Sequence, residues 1–504
     1  MGNGVTSAQG TLSRTTGTAL AAPVLAGLAA WTFLPEVGRI SLTEIAALLL
    51  APCCLVALVR LPRGGALVVF AVLWLVGITL GQLTHPADTT TVVKAVSSAV
   101  MLVLTVGLVV AVLRHGSPGG LDLARHRLVV AFAVGQLIGM ALTPPAVAVL
   151  DPWKFGIGQA VTLLVLVLTE RAWRNARRVV VPVVLVGMAG VHLVLGSRSL
   201  CLLALIIALA AVVTWLGGTR PSARIVVFGL FAVVGAVLLD GFYVDLAGSG
   251  TLGDAATQKL RFQDGELGVA VGGRKDFVFV LFGALHSPWV GWGPAAVVPP
   301  EVKSAAVHWL VDHGYPIYGY DLMTFVMPES LFVHSVVLGG WVTAGVAALP
   351  FWVLVIVFLV RGFADAVRRG AFAEAFLVLT ALWHVFFSRL GDTTRGHIAV
   401  AVALAIIGLA ARDAVREQGG DEDTDNPVPD GGSDGGLRRC GGAEACGAEP
   451  EQHPGRQDDG DRQLVPCGLQ PQYQQLRQQH ARGGDQVAAH GGQRGDEHRT
   501  RQGR

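Results

Sequence analysis

The sequence predicts an all-α, polytopic membrane protein. Its 504 residues are 52% hydrophobic and 15% charged, against about 25% charged in an ordinary soluble domain. Mean hydropathy is +0.55, and the polar C-terminal segment carries many of the charges there are. The apolar residues come in runs of about 20, the length that crosses the hydrocarbon core of a bilayer as a helix. No strand alternation of the soluble type and no internal repeat interrupts them.

Taken in order, the runs fall at 18–34, 42–59, 65–83, 95–113, 127–144, 155–169, 179–196, 199–216 and 225–241. A long hydrophilic loop, 242–336, follows, and then come 337–360, 371–387 and 397–411. The expected architecture is about 12 transmembrane helices with one large loop before the last three. The polar N-terminus, 1–17, precedes a run that many others follow, so that run reads as a retained span and not as a cleaved leader. The transmembrane part is expected to cover 18–412, and 413–504 to be a disordered tail. That tail is rich in Gly, Gln, Asp, Arg and His. Such a composition buries too little apolar surface to offset its ordering entropy.

Orientation follows from the cations. With the N-terminus inside, the inner turns hold Arg60 and Arg63, then Arg114, Arg125 and Arg127, then Arg171, Arg174, Arg177 and Arg178. Arg220 and Arg224 follow, and then Arg361, Arg368 and Arg369. The outer turns hold fewer: Arg39, Lys94, Lys154, Arg198, and Arg389 with Arg395. Both termini are therefore expected in the cytoplasm, with the long loop facing outward across the cytoplasmic membrane.

Several function classes lack support. The net charge of +2 does not point to nucleic acid, because the arginines sit in short clusters between apolar runs. There is no GxxxxGK[ST] phosphate loop and no HExxH zinc helix. Cys53, Cys54 and Cys201 lie in apolar runs and read as small core side chains, and the tail cysteines lack zinc-type spacing. Neither a metal site nor a cofactor is expected.

Three stretches carry residues suited to chemistry. Arg198, in the turn GSRS, is a cation on the side the usual bias disfavours. Two readings fit it: snorkelling to headgroups, or a fixed guanidinium for a phosphate. Arg274 and Lys275 stand in GGRKDF, where two glycines precede a short aromatic run. Asp276 suits the start of that helix, and the cations beside a helix N-terminus suit an anion, although a plain charged boundary fits as well. His334, in LFVHS, enters a span, and its imidazole can accept a proton from a hydroxyl near neutral pH. A lone histidine also serves structure. His192 and His384 lie deeper in their runs, with nothing that links them to a reaction.

Together the turn GSRS, the stretch GGRKDFVFVLFGALHSPWVGWG and the segment HSVVLGGWVTAG resemble the O-antigen ligase and polymerase superfamily of membrane glycosyltransferases. Ser335 stands where that family usually has asparagine, Thr343 where an acidic residue is common, and Gly345 matches its glycine. The resemblance implies a GT-C-like fold and a donor glycan on a polyprenyl diphosphate, used without nucleotide sugar or metal. The acceptor would be a glycan, a lipid or a protein. It implies that Arg198 and Arg274 hold the diphosphate while His334 deprotonates the acceptor hydroxyl for inverting attack. Arg261, Lys275 and Ser335 are further candidates for substrate binding. The rival class is a secondary transporter or flippase for an anionic or lipid-linked substrate, which could use outer arginines as an entry funnel. Transporters, however, usually place their sites near the midplane between repeats.

Overall fold

The computed structural model describes residues 32–33 and 40–420, apart from 116–119, 143–150, 176, 217–240, 252, 264, 267, 269–271 and 332. The expected span 18–34, except for its last-but-one pair 32–33, lies outside them. So do the span 225–241, except for residue 241, and the tail beyond 420.

The described chain is helical. Helices α1 (Leu42–Leu49) and α2 (Ala51–Val59) form the second expected span, 42–59, bent by 82°. Pro52 in the first turn of α2 cannot continue the hydrogen-bond ladder of α1, which accounts for the break. Then come α3 (Gly64–Thr84), α4 (Thr89–His115), α5 (Leu121–Leu142), α6 (Gly158–Arg174, entered through a π-turn at Trp153–Ile157), α7 (Val180–Val194) and α8 (Arg198–Leu216). Past the loop lie α12 (Val336–Ala344), α13 (Leu349–Arg369), α14 (Phe372–Phe387) and α15 (Asp392–Gly420). Among the described residues, seven helical stretches are long and apolar enough to cross a membrane, or eight with the bent pair. Two further expected spans, α7 and α14, have 15 and 16 residues, shorter than the ~20 a straight crossing takes. The last helix also runs to Gly420, past the expected end of the transmembrane part.

Burial sorts the helices. In α15 every residue from Ile398 to Ile407 is buried, as befits a helix apolar on all sides at the centre of a bundle. The helix α3 instead exposes Val69, Val72, Val76, Leu80 and Leu83, a stripe at helical spacing that faces outward. Charged contacts tie the helices together at both ends of the bundle. Glu44, fully buried, caps α1 together with Ser41 and pairs with Arg395 of α15. At the opposite end of the bundle, Arg369 bonds Asp365 at 3.0 Å and Glu374 at 2.7 Å, while Glu170 accepts from the Ala373 N–H at 2.7 Å.

The hydrophilic loop builds its own small core. Helices α9 (Asp254–Gln263), α10 (Lys275–His286) and α11 (Pro300–Asp312) belong to it. Phe279, Leu310, Tyr315 and Leu331 pack with Leu338 and Val342 of α12, so the loop's core continues into the membrane helix. Lys303, buried, holds the 326–329 stretch by donating to the carbonyls of Val326, Pro328 and Glu329.

The loop docks on the bundle where side chains are missing. The Trp292 N–H donates to Val342 O at 2.6 Å, and Trp341 Nε1 donates to Pro288 O at 3.0 Å. A Cβ on Gly81 of α3 would lie 2.8 Å from Thr343 O and 2.9 Å from the Gly293 Cα. Gly345 breaks α12 from α13 with φ of 63°, and a Cβ there would overlap the Trp289 carbonyl. Replacing Gly345 by Ala is expected to cost on the order of 2–4 kcal/mol, from left-handed strain and overlap together. Gly187→Ala on α7, which meets open space, should be neutral. Thermal melts of the purified protein in detergent compare the two, and equal midpoints would refute the docking contact.

Candidate functional site

A cavity of about 2010 Å³ opens at the end of the bundle that the loop covers. Arg198, Arg274, His334 and Ser335 all line it. Arg198 is the first residue of α8, and Gly196 with φ of 75° makes the tight turn that delivers it. Its guanidinium donates to Gln263 Oε1 at 2.7 Å and lies over the Tyr243 ring at 4.2 Å. The planar fork is thereby held from two sides before any ligand arrives.

Arg274 occupies the N-cap position of α10, with its Cζ 5.8 Å from the Phe387 ring centre. Burial pushes its guanidinium below the ordinary arginine value; Asp276 opposes that shift, and the charge of Arg198 adds to it. Two cations that repel each other across one cavity are stabilised by an anion placed between them.

His334 reaches the same space from the start of α12. Its Nδ1 lies 3.2 Å from Asp276 Oδ2, and the Asp276 side chain is 9% exposed against 33% for the histidine. A carboxylate on one ring nitrogen fixes the imidazole so that the other faces away from it, the arrangement of an oriented general base. Arg274 and Asp276 stand at the same helix start, so one loop-to-helix junction supplies both the cation and the histidine's partner. Ser335 is buried and accepts the Leu338 N–H at 3.3 Å as the N-cap of α12. Serine and asparagine both serve that position well, which gives the departure from asparagine a structural reading.

The remaining two candidates lie elsewhere. Lys275 is 5% exposed, and its Nζ donates to Pro316 O at 2.6 Å and to Asp321 Oδ2 at 2.9 Å. It does not line the cavity and ties α10 to the 316–321 stretch instead. Arg261 is exposed on α9 and does not line the cavity either.

Sequence reasoning missed three supports of the site. Asp276 reads in sequence as a helix-start acid, and nothing there pairs it with a histidine 58 positions on (334 − 276). Gln263 and Tyr243, which hold Arg198, carry no signal at all. The outer-turn cations hold a clearer one: Lys94, Lys154 and Arg389 line the cavity too, opposed in the lining by Asp88 and Glu329. The cations that run against the usual charge bias thus gather in one place, except Arg395, which pairs with Glu44, and Arg39, outside the described residues.

Among the described residues no group of three or more His, Cys, Asp or Glu could hold a metal ion. The fold and cavity define a class, a multi-pass α-helical membrane protein with a cationic cavity at one end of its bundle. No family model matches the chain, and no curated protein matches it.

Because Lys275 and Asp321 form a buried pair, Lys275→Met is expected to cost about 3–5 kcal/mol by leaving the carboxylate without a counter-charge. Lys275→Met combined with Asp321→Asn should regain part of that loss. A double-mutant thermal melt reads this coupling, and additive losses would return Lys275 to the list of candidate ligands.

Proposed function

We propose that the chain is a membrane glycosyltransferase of the O-antigen ligase or polymerase type. It transfers or polymerises a glycan carried on a polyprenyl diphosphate, at the outer face of the cytoplasmic membrane. The observation that carries this reading is the convergence of Arg198, Arg274 and His334 on one cavity from three separate segments. In this reading the chain makes about 12 crossings, both termini are cytoplasmic, and the cavity faces outward.

Each group then has a physical task. The diphosphate sits between Arg198 and Arg274, and its lipid stays in the bilayer. The acceptor hydroxyl approaches the anomeric carbon from the face opposite the diphosphate. His334 takes the hydroxyl proton on the nitrogen not facing Asp276 as the new C–O bond forms, and the bond to the diphosphate oxygen breaks. Negative charge grows on the departing diphosphate, where preorganised guanidinium groups lower the barrier without any ion being recruited. Asp276 positions the ring and stabilises the imidazolium that forms. Inversion at the anomeric carbon follows from the single displacement.

The test is transfer from a lipid-linked glycan by the purified protein in detergent, where a transporter, which needs a sealed compartment, does nothing. His334→Ala is expected to lower turnover by about 10² to 10⁴ with donor affinity kept. Arg274→Lys should lose most activity, because a point charge replaces the planar fork. Full activity of either variant removes that residue from the mechanism.

As a positioning residue, Asp276 has its own signature. Asp276→Asn should lower kcat, with KM for the donor nearly unchanged, and Asp276→Glu should restore part of the rate. A loss in stability that tracks the loss in kcat through both variants would make Asp276 structural only.

A further inference from the structure

The cavity is far larger than a diphosphate and a proton acceptor require, and its lining divides by charge and depth. The cations stand near helix ends or outside helices: Arg198 begins α8, Arg274 caps α10, and Arg389 lies between α14 and α15. Among the described residues, the lining away from those ends is polar but holds no carboxylate, ammonium or guanidinium. Gln136 of α5, Gln159 of α6, Thr380 and His384 of α14, and His397 of α15 form this floor, with Trp383 beside it. From the ends of their helices, Gln136, Thr380 and His397 lie roughly 8–10 Å in, at 1.5 Å of rise per residue.

The floor is preorganised. Gln159 Nε2 lies 2.8 Å from His397 Nδ1, and His397 Nε2 lies 3.0 Å from Leu377 O, so the amide donates to one ring nitrogen and the other donates to the carbonyl. His384 Nδ1 is 2.7 Å from Ser388 Oγ. Gln136 Oε1, in contrast, is buried with no hydrogen-bond partner. A buried acceptor left unmatched costs stability, and in an apolar bundle polar side chains normally face a partner or a cavity. Trp383 packs at 4.3 Å on Phe387, presenting a rigid aromatic pair at the same wall.

We infer that this floor is a subsite for one neutral sugar residue. The glutamine amides exchange hydrogen bonds with sugar hydroxyls in both senses, His397 holds the Gln159 amide in place, and Trp383 can cover the apolar C–H face of the ring. The absence of charge on the floor selects against acidic sugars, whose carboxylate would be desolvated there without a partner. The assignment rests on the glycosyl-transfer reading for its biological meaning, not for the binding itself.

The experiment is saturation-transfer NMR on the full chain in phosphatidylcholine nanodiscs, free of sugar-headed detergents. The probes are free galactose, mannose, N-acetylglucosamine and glucuronate. At least one neutral sugar should bind saturably, and glucuronate should not. Gln136→Leu and Gln159→Leu should each weaken binding at least tenfold, while Gly187→Ala, away from the cavity, leaves it unchanged. Gln136→Leu should also raise the melting temperature of the sugar-free protein, since it removes an unmatched acceptor. If one leucine variant does not fold, the other carries the test. No saturable neutral sugar, wild-type binding in the folded glutamine variants, or equal loss in Gly187→Ala overturns the subsite. Sugar binding that survives in a protein without transfer activity would sink the enzymatic reading and leave the subsite standing. In an active protein, a rise in the KM of the donor or of the acceptor identifies which sugar the floor holds, and a rise in neither overturns the subsite.

Discussion

The site depends on a contact made almost without side chains. At the docking point of the loop, Gly81 of α3, Gly293 of the loop and the Thr343 carbonyl approach so closely that a single methyl group would separate them. The same packing places Trp289 against Gly345, where α12 gives way to α13. Backbone groups at such distances satisfy one another directly, as Trp292 and Val342 do, and the strongly apolar bundle transmits any displacement there. His334 stands two residues before α12, and Arg274 stands at the start of α10, which packs on α12. The distance between base and cation is therefore set by the glycine contact rather than by either side chain.

Charge placement follows a second constraint. A buried ion pair seldom stabilises a protein more than a well-packed apolar pair would, yet removing one partner is costly. Glu44 with Arg395 and the Arg369 cluster accordingly act as registers that fix which helices meet. The cavity is treated in the opposite way. Two of its cations rest on neutral groups, Arg198 on Gln263 and Tyr243 and Arg274 on the Phe387 ring, with Asp276 near Arg274. Such supports orient a guanidinium without neutralising it, which keeps its charge available to a ligand.

Much of the fold was legible because burial in a membrane leaves a signal in every span. Runs such as 65–83 and 199–216 are read from composition alone, and α3 and α8 match them within a few residues. The 42–59 run was legible as apolar but not as bent, although Pro52 stood in it. The ends of α15 were less legible, since Arg412 and the polar residues after it are compatible with both helix and tail. At the site, Arg198 stood out because its sign runs against the expected orientation, and the Arg274 turn because two glycines precede it. Lys275 shares that turn, but a helix turns successive side chains about 100° apart. Arg274 consequently faces the cavity while Lys275 faces Asp321.

That divergence between adjacent residues is also the reason Asp276 could not be read. At an N-terminus, a carboxylate is stabilised by the helix dipole whatever else it touches, so its presence is explained before any partner is sought. Its contact with His334 adds a use to a residue already justified by local structure. Arg274, Lys275 and Asp276 thus divide three tasks within one turn: lining the cavity, fastening the loop, and meeting the His334 ring. Moving the turn would disturb all three together. Economy of that kind ties the geometry of the cavity wall to the docking contact, because α10 has to be seated against α12 before any of the three groups finds its partner.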